Sequence, residues 1–277
     1  MPDVTGERAQ LAIARAVVEG GKLVARVGET EGRAAAWRLA NRLGSSAPKT
    51  YEALNRERLK LLAGYFPTTD EGIDRLADLY IKAIARIDIY AAWTPHDKLL
   101  LPRSARTCRL VDIEPFFSDA RWTRALAGQR VTIVSPFKRT IDAQWKLRDK
   151  LFTVETMPDC DLCVVQAPQT QCEADTAGMD WFQNLARLNA MVADTRPDTV
   201  IIGAGAYGLP VGLAAVNAGA SAVVMGGSTQ LLFGIMGNRW SIHPKFQALE
   251  NQYWTRPGVD ERPPGFENFE TAGGAYW

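Results

Sequence analysis

Apolar positions recur at helical spacing through the first third of the chain and shorten to runs of four or five residues beyond it. Glu7 to Glu19 carries Leu11, Ile13, Val17 and Val18 and is closed by Gly20-Gly21, which predicts a helix. Leu23-Val24-Ala25-Arg26-Val27 reads as a short strand. Gly28-Glu29-Thr30-Glu31-Gly32 then turns into a helix over Arg33 to Leu43, ended by Gly44. Residues 50–93 read as helical, with Leu54, Leu61 and Leu62, then Ile73, Leu76, Leu79, Tyr80, Ala83, Ile84 and Ile87 in phase. Asp70 is the expected N-cap of the second of these helices, and Ile87 to Trp93 turns to strand.

From Leu126 the pattern alternates. Strands are expected at Val131–Val134, Leu162–Val165, Thr199–Ile202 and Ala222–Met225, with helices at Thr140–Leu151, Gly178–Thr195 and Leu209–Ala218. Short apolar strands separated by helices predict an α/β fold: a Rossmann-like, mostly parallel sheet with helices on both faces. The chain reads as a single α/β domain over 1–277, with an N-terminal helical segment, a helical insertion at about 50–93 and an aromatic C-terminal extension at about 240–277. That extension holds Trp240, Phe246, Tyr253, Trp254, Phe266, Phe269, Tyr276 and Trp277, too many aromatic rings for a disordered tail. It is expected to wrap the domain, cover a site mouth or join two copies as a homodimer.

Composition narrows the partners. Lys+Arg is 32 and Asp+Glu 31, a net charge of +1, which argues against nucleic acid as the main partner because phosphate neutralisation needs a basic excess. No apolar run approaches the ~20 residues of a membrane span, and the start MPDVTGERAQ is not a secretory leader, so a cytoplasmic protein is expected. Four cysteines are too few for a disulfide scaffold. Cys160-x-x-Cys163 lacks a full set of zinc ligands, since His96 and His243 are the only histidines, and it reads as entry into a buried strand. Both histidines read as structural or exposed.

Several loops at expected strand ends carry candidate chemistry, because ligands of open α/β sheets bind beyond the carboxyl ends of strands. Gly203-Ala204-Gly205-Ala206-Tyr207-Gly208 matches G-x-G-x-x-G between a strand and a helix, where backbone N–H groups can approach a phosphate. The same glycines also suit plain helix–strand packing. No acid follows at the next strand end to hold a ribose, which counts against NAD(P). Gly226-Gly227-Ser228-Thr229-Gln230 offers Gly227, Ser228 and Gln230 for phosphate or sugar contacts in the same crevice. Arg26, Gly28, Glu29 and Glu31 lie in a third loop, where two carboxylates two residues apart suit Mg²⁺ or Mn²⁺ on a diphosphate, or a general base, or simply a helix start. Ser135, Lys138 and Arg139 follow a fourth strand, where the two cations are candidates for phosphate.

In this order the segments RVGETE, VTIVSPFKRTIDAQWKLR and TVIIGAGAYGLPVGLAAVNAGASAVVMGG resemble the GT-D-type glycosyltransferases of bacterial surface-polysaccharide and glycoprotein assembly. GAYGLPVGLAAVNAGASAVVMGGSTQLLFGIMGNRW and the ending GGAYW look closer still to bacterial proteins found with polysaccharide genes. The family carries R-x-G-D-G-E; here Glu29 stands at the Asp position and Glu31 at the Glu position. The resemblance implies a nucleoside-diphosphate sugar as donor, an acceptor entering under the aromatic tail, and Mn²⁺ or Mg²⁺ held by Glu29 and Glu31 as the catalytic pair. A non-catalytic nucleotide-binding or scaffold protein of such a pathway is the alternative reading, and an NAD(P) oxidoreductase a third.

Overall fold

The computed structural model describes residues 2–44, 50–172, 178–268 and 276–277. Phe269 of the aromatic tail, and Gly273, Gly274 and Ala275 of the GGAYW ending, lie outside the described residues. The chain runs α1 (Glu7–Glu19), β1 (Leu23–Ala25), α2 (Glu29–Arg42), α3 (Ala53–Leu61), α4 (Asp70–Ile84), β2 (Ile89–Ala92), α5 (Asp97–Leu100) and β3 (Arg106–Arg109). It continues through β4 (Arg130–Ser135), α6 (Lys138–Trp145), α7 (Arg148–Leu151), β5 (Asp161–Gln166), α8 (Trp181–Asp194), β6 (Thr199–Ile202), α9 (Gly208–Asn217) and β7 (Ser221–Val224). Two short helices, α10 (Asn238–Ser241) and α11 (Pro244–Gln247), follow.

The seven strands form one sheet in the order β3-β2-β1-β7-β6-β4-β5, and every pairing is parallel. Parallel strands buried on both faces explain why the central runs are apolar throughout. Val200, Ile201, Ile202, Ala222 and Val223 all have no exposed surface. Two hydrophobic layers cover the sheet. On one face lie α2, α3, α4, α8 and α9, with Leu59, Ile73, Leu76, Trp181 and Leu209 in the core. On the other lie α1, Trp122, α6 and the aromatic extension, with Ile13, Ile141, Phe233, Trp240, Phe246, Trp254 and Trp277. The described part of the extension therefore packs on the second face, where Trp240, Phe246, Trp254 and Trp277 add buried apolar area.

Several local expectations are corrected. Residues 50–93 are not an insertion beside the sheet: α3, α4 and β2 complete the crossover from β1 to its neighbour. Helix α2 starts at Glu29, four residues earlier than Arg33, because Gly32 packs against Val27 and Leu100 instead of breaking the helix. Thr69, not Asp70, caps α4; its hydroxyl accepts from the Gly72 N–H at 3.1 Å. The helix expected over Thr140–Leu151 is split between α6 and α7. Strand β3, which the apolar pattern did not reveal, is an edge strand with two exposed arginines. Strand β5 is the other edge, so Cys163 is exposed there and not buried. Cys160 is half-buried, and burial pushes its thiol up to about 11. Among the described residues no group of three or more His, Cys, Asp or Glu side chains could hold a metal, and no helix is long and apolar enough to cross a membrane.

Candidate functional site

The topology opens a crevice at the carboxyl ends of the central strands. After β1 and β6 the chain enters α2 and α9 on the first face; after β7, which lies between them, Leu231 to Phe233 enter the second face. Adjacent strands whose continuations diverge leave a cleft above the sheet, the usual ligand position in open α/β folds. Here it is a crevice of about 1130 Å³ including its open mouth.

Arg26, Gly28, Glu29, Glu31, Ser135, Gly203, Gly205, Tyr207, Gly208, Gly227 and Gln230 all border this crevice. Three expected contacts do not. Lys138 pairs with Asp142 one helical turn on, at 2.8 Å. Arg139 pairs with Asp260, while its backbone N–H donates to Glu261 at 2.8 Å. Ser228 is buried under its own loop, where its hydroxyl donates to the Met225 carbonyl at 3.2 Å. The phosphate role assigned to the two cations and the contact assigned to Ser228 are thus replaced by structural partners.

Two other cations, Arg26 and Arg239, do border the crevice, and Arg26 stands at the carboxyl end of β1. Its guanidinium lies over the Trp93 ring, 4.7 Å from the centroid. Trp93 is fixed in turn by its indole N–H, which donates to the Val27 carbonyl at 2.8 Å. The buried Asp97 carboxylate accepts from the N–H groups of Trp93 at 2.7 Å and Thr94 at 2.6 Å. On its other side Arg26 approaches Gly226 so closely that a Cβ there would stand 3.1 Å from the guanidinium carbon. Among the described residues no carboxylate pairs with Arg26 within 4.0 Å. A stacked, unpaired guanidinium beside a cleft is suited to an anionic ligand.

Glu29 and Glu31 share the first turn of α2 but diverge, since residues two apart face different sides of a helix. Glu29 is half-exposed and pairs with Arg33 at 2.9 Å. Glu31 is buried, folds back over Gly28 and accepts from the Thr30 hydroxyl at 2.7 Å. The Tyr80 pKa is held well above the usual phenol range, by burial first and by the charge of Glu31 second. The expected two-carboxylate clamp is therefore not formed; one carboxylate faces inward.

The Gly203–Gly208 loop is held mostly by its own surroundings. The N–H groups of Gly203 and Ala206 donate to Val134 and Ala63, both at 2.8 Å. Those of Tyr207 and Gly208 bond within the turn. Gly205 adopts φ +51°, and a Cβ on it would meet the Ala63 carbonyl oxygen at 2.6 Å, so both conformation and space require glycine. Gly203 has no room either: a Cβ would lie 2.6 Å from the Gly226 carbonyl oxygen. The close approach of the second glycine-rich loop accounts for Gly203, and that of Ala63 for Gly205.

The tail supplies the opposite wall. The Tyr276 ring rests on Gly227, its carbonyl accepts from the Gln230 amide at 3.1 Å, and its hydroxyl accepts from Arg239 at 3.2 Å. Arg239 and Tyr276 both border the crevice. Tyr276 thereby forms part of the crevice wall.

Sequence reasoning missed Tyr80, Trp93, the 167–171 segment and the buried Glu114. Trp93 carried a usable signal, being the residue directly after β2. Glu114 carried none: burial pushes its carboxyl up to about 7, against Lys245, Arg26 and the Ser228 hydroxyl, which favour the charged form. Compared with protein-family models, with curated proteins and with solved structures, the chain matches none.

Proposed function

We propose that the crevice binds a nucleoside-diphosphate sugar and that the protein transfers the sugar to an acceptor, in line with its resemblance to GT-D-type glycosyltransferases. The observation that carries this reading is Arg26, a cation stacked on Trp93 and unpaired among the described residues, at the mouth shared by both glycine-rich loops. A diphosphate placed there gains a bidentate partner. In the transfer the acceptor oxygen bonds to the anomeric carbon as that carbon's bond to the diphosphate breaks. The bonding pair leaves with the diphosphate, and the hydroxyl proton passes to water at the open mouth. Arg26 stabilises the leaving charge, a role worth most where water is excluded. A Mn²⁺ or Mg²⁺ arriving with the donor would take Glu31 as its protein ligand and the rest from diphosphate oxygens and water, as Mg²⁺ sites commonly do. Such an ion would neutralise the leaving group further.

Glu29 turned to Arg33 favours the second reading, a nucleotide-binding protein without turnover, because a lone inward carboxylate suffices for binding. Titration calorimetry with UDP- and GDP-sugars and with NADH, each with and without Mn²⁺, separates the readings. Binding of a nucleotide sugar that weakens in Arg26→Ala and Glu31→Gln supports the proposal, and release of the nucleoside diphosphate with an acceptor panel supports transfer. Binding of NADH alone, indifferent to Mn²⁺, sinks it.

A further inference from the structure

The aromatic extension brings a second arginine to the crevice. Arg239, exposed in α10, borders it together with Tyr276. Its guanidinium donates to the Tyr276 hydroxyl at 3.2 Å and lies beside two rings, 5.5 Å from the Tyr276 centroid and 5.7 Å from that of Trp240. Tyr276 is itself fixed on several sides. Its ring rests on Gly227, and a Cβ there would meet that ring and stand 3.2 Å from the Trp240 indole. Its carbonyl accepts from the Gln230 amide, which also donates to the Ile235 carbonyl, both at 3.1 Å. The neighbouring Trp277 is buried, meets the Tyr276 ring edge-on at 5.7 Å, and accepts through its carbonyl from the Asn238 N–H at 3.3 Å. Residues 276–277 and 238–240 thus hold one another, and what they place at the crevice is a planar fork of five N–H groups, of which Tyr276 takes one. Arg26 and Arg239 therefore each lie on an aromatic ring and meet one loop at consecutive residues: Arg26 stands against Gly226, and the tyrosine that holds Arg239 against Gly227. Two guanidinium groups suit a ligand with two linked anionic groups, because each takes the oxygens of a different phosphate.

We infer that Arg239 is a second phosphate-binding residue of the crevice, that Tyr276 positions it, and that together with Arg26 it selects diphosphates over monophosphates. This assignment rests on the donor reading above, in which the diphosphate lies at Arg26. It gives the aromatic extension a part in ligand binding besides its packing on the second face of the sheet.

The test is calorimetry on the full chain without divalent metal, with pyrophosphate and orthophosphate as probes, UDP and GDP titrated separately, and Tm recorded for each variant. Pyrophosphate should bind about tenfold more tightly than orthophosphate, one further charged contact. Arg239→Ala, an exposed substitution, should lower pyrophosphate affinity about tenfold at unchanged Tm and remove that preference. Tyr276→Phe keeps the ring on Gly227 but releases the guanidinium, so it should lose less than Arg239→Ala. Arg239→Lys should recover part of the loss, since it restores the charge without the fork. Equal pyrophosphate affinity in wild type and Arg239→Ala overturns the inference; if UDP or GDP still binds, the donor reading survives it. Wild-type affinity in Tyr276→Phe overturns the positioning role. Arg239-dependent pyrophosphate binding in a protein that binds neither nucleotide supports the two-arginine site and overturns the donor reading. Silence toward pyrophosphate and both nucleotides overturns the two together.

Discussion

The Tyr80 hydroxyl donates to the Ala206 carbonyl oxygen at 2.9 Å, joining a helix of the β1–β2 crossover to a loop 126 residues away. Tyr80 and Glu31 both border the crevice, so this one phenol bond braces the glycine-rich loop at its edge. Tyr80→Phe leaves the Ala206 oxygen buried and unpaired, at a cost of about 1–2 kcal/mol. Thermal melts should show the lower Tm, and nucleotide titration a weaker site; unchanged values in both would refute the brace.

Two glycines of the crevice should respond differently to alanine. At Gly28 the new methyl meets the end of the Glu31 side chain, which can swing away. Gly28→Ala should therefore fold with nearly native Tm and lose donor affinity. At Gly203 the methyl meets the Gly226 backbone and the Thr229 side chain. Overpacking of this kind costs about 1–3 kcal/mol, so Gly203→Ala should melt earlier before any binding is measured.

Arg26 and Trp93 act as a pair, so lysine should not replace arginine. A lysine keeps the charge but loses the planar fork and the stack. Arg26→Lys should retain only part of the nucleotide affinity lost in Arg26→Ala. Trp93→Ala, with Arg26 in place, should fall between wild type and Arg26→Ala in calorimetry.

Glu114 gives the protein a pH-dependent element. Its folded pKa, about 7, lies above its usual 4.5. The stability belonging to the neutral carboxyl is complete below the unfolded value and is lost as pH rises through the folded one. Glu114→Gln stays neutral throughout, so it should match wild type in acid and exceed it in Tm above about pH 7. The gap is bounded on the order of 3 kcal/mol by the size of the shift. Parallel Tm curves across that window would contradict a buried titrating Glu114.

The sequence made the central strands legible because their signal is local. Val200–Ile202 is an unbroken apolar run, and the strand Thr199–Ile202 is found where that run places it. Strand β3 was hidden because its ends are exposed arginines and only Thr107 and Cys108 face inward. The loops carrying Arg26, Glu31 and Gly203 were legible from glycines at strand ends. What each side chain does there was not, because the deciding partners are remote. Asp142, one turn from Lys138, was readable; Asp260, which takes Arg139, lies 121 residues away. The divergence of Glu29 and Glu31 was hidden because the glycines around them read as a loop, where a pair can converge, whereas α2 begins at Glu29 and a helix turns residues two apart to different sides.

The strand order also dictates when the crevice can exist. Strands β1 to β3 form one half-sheet and β4 to β6 another, and the two meet only through β7, the last strand of the sheet to be made. Closing the centre of a sheet with its final strand demands long-range pairing, which is intrinsically slow. Arg26 and the Gly203–Gly208 loop thus face each other only after residue 224 has seated. On the proposed function, a donor nucleotide that bridges the seam would bind only once β7 is in place and would act as a clasp on the two halves.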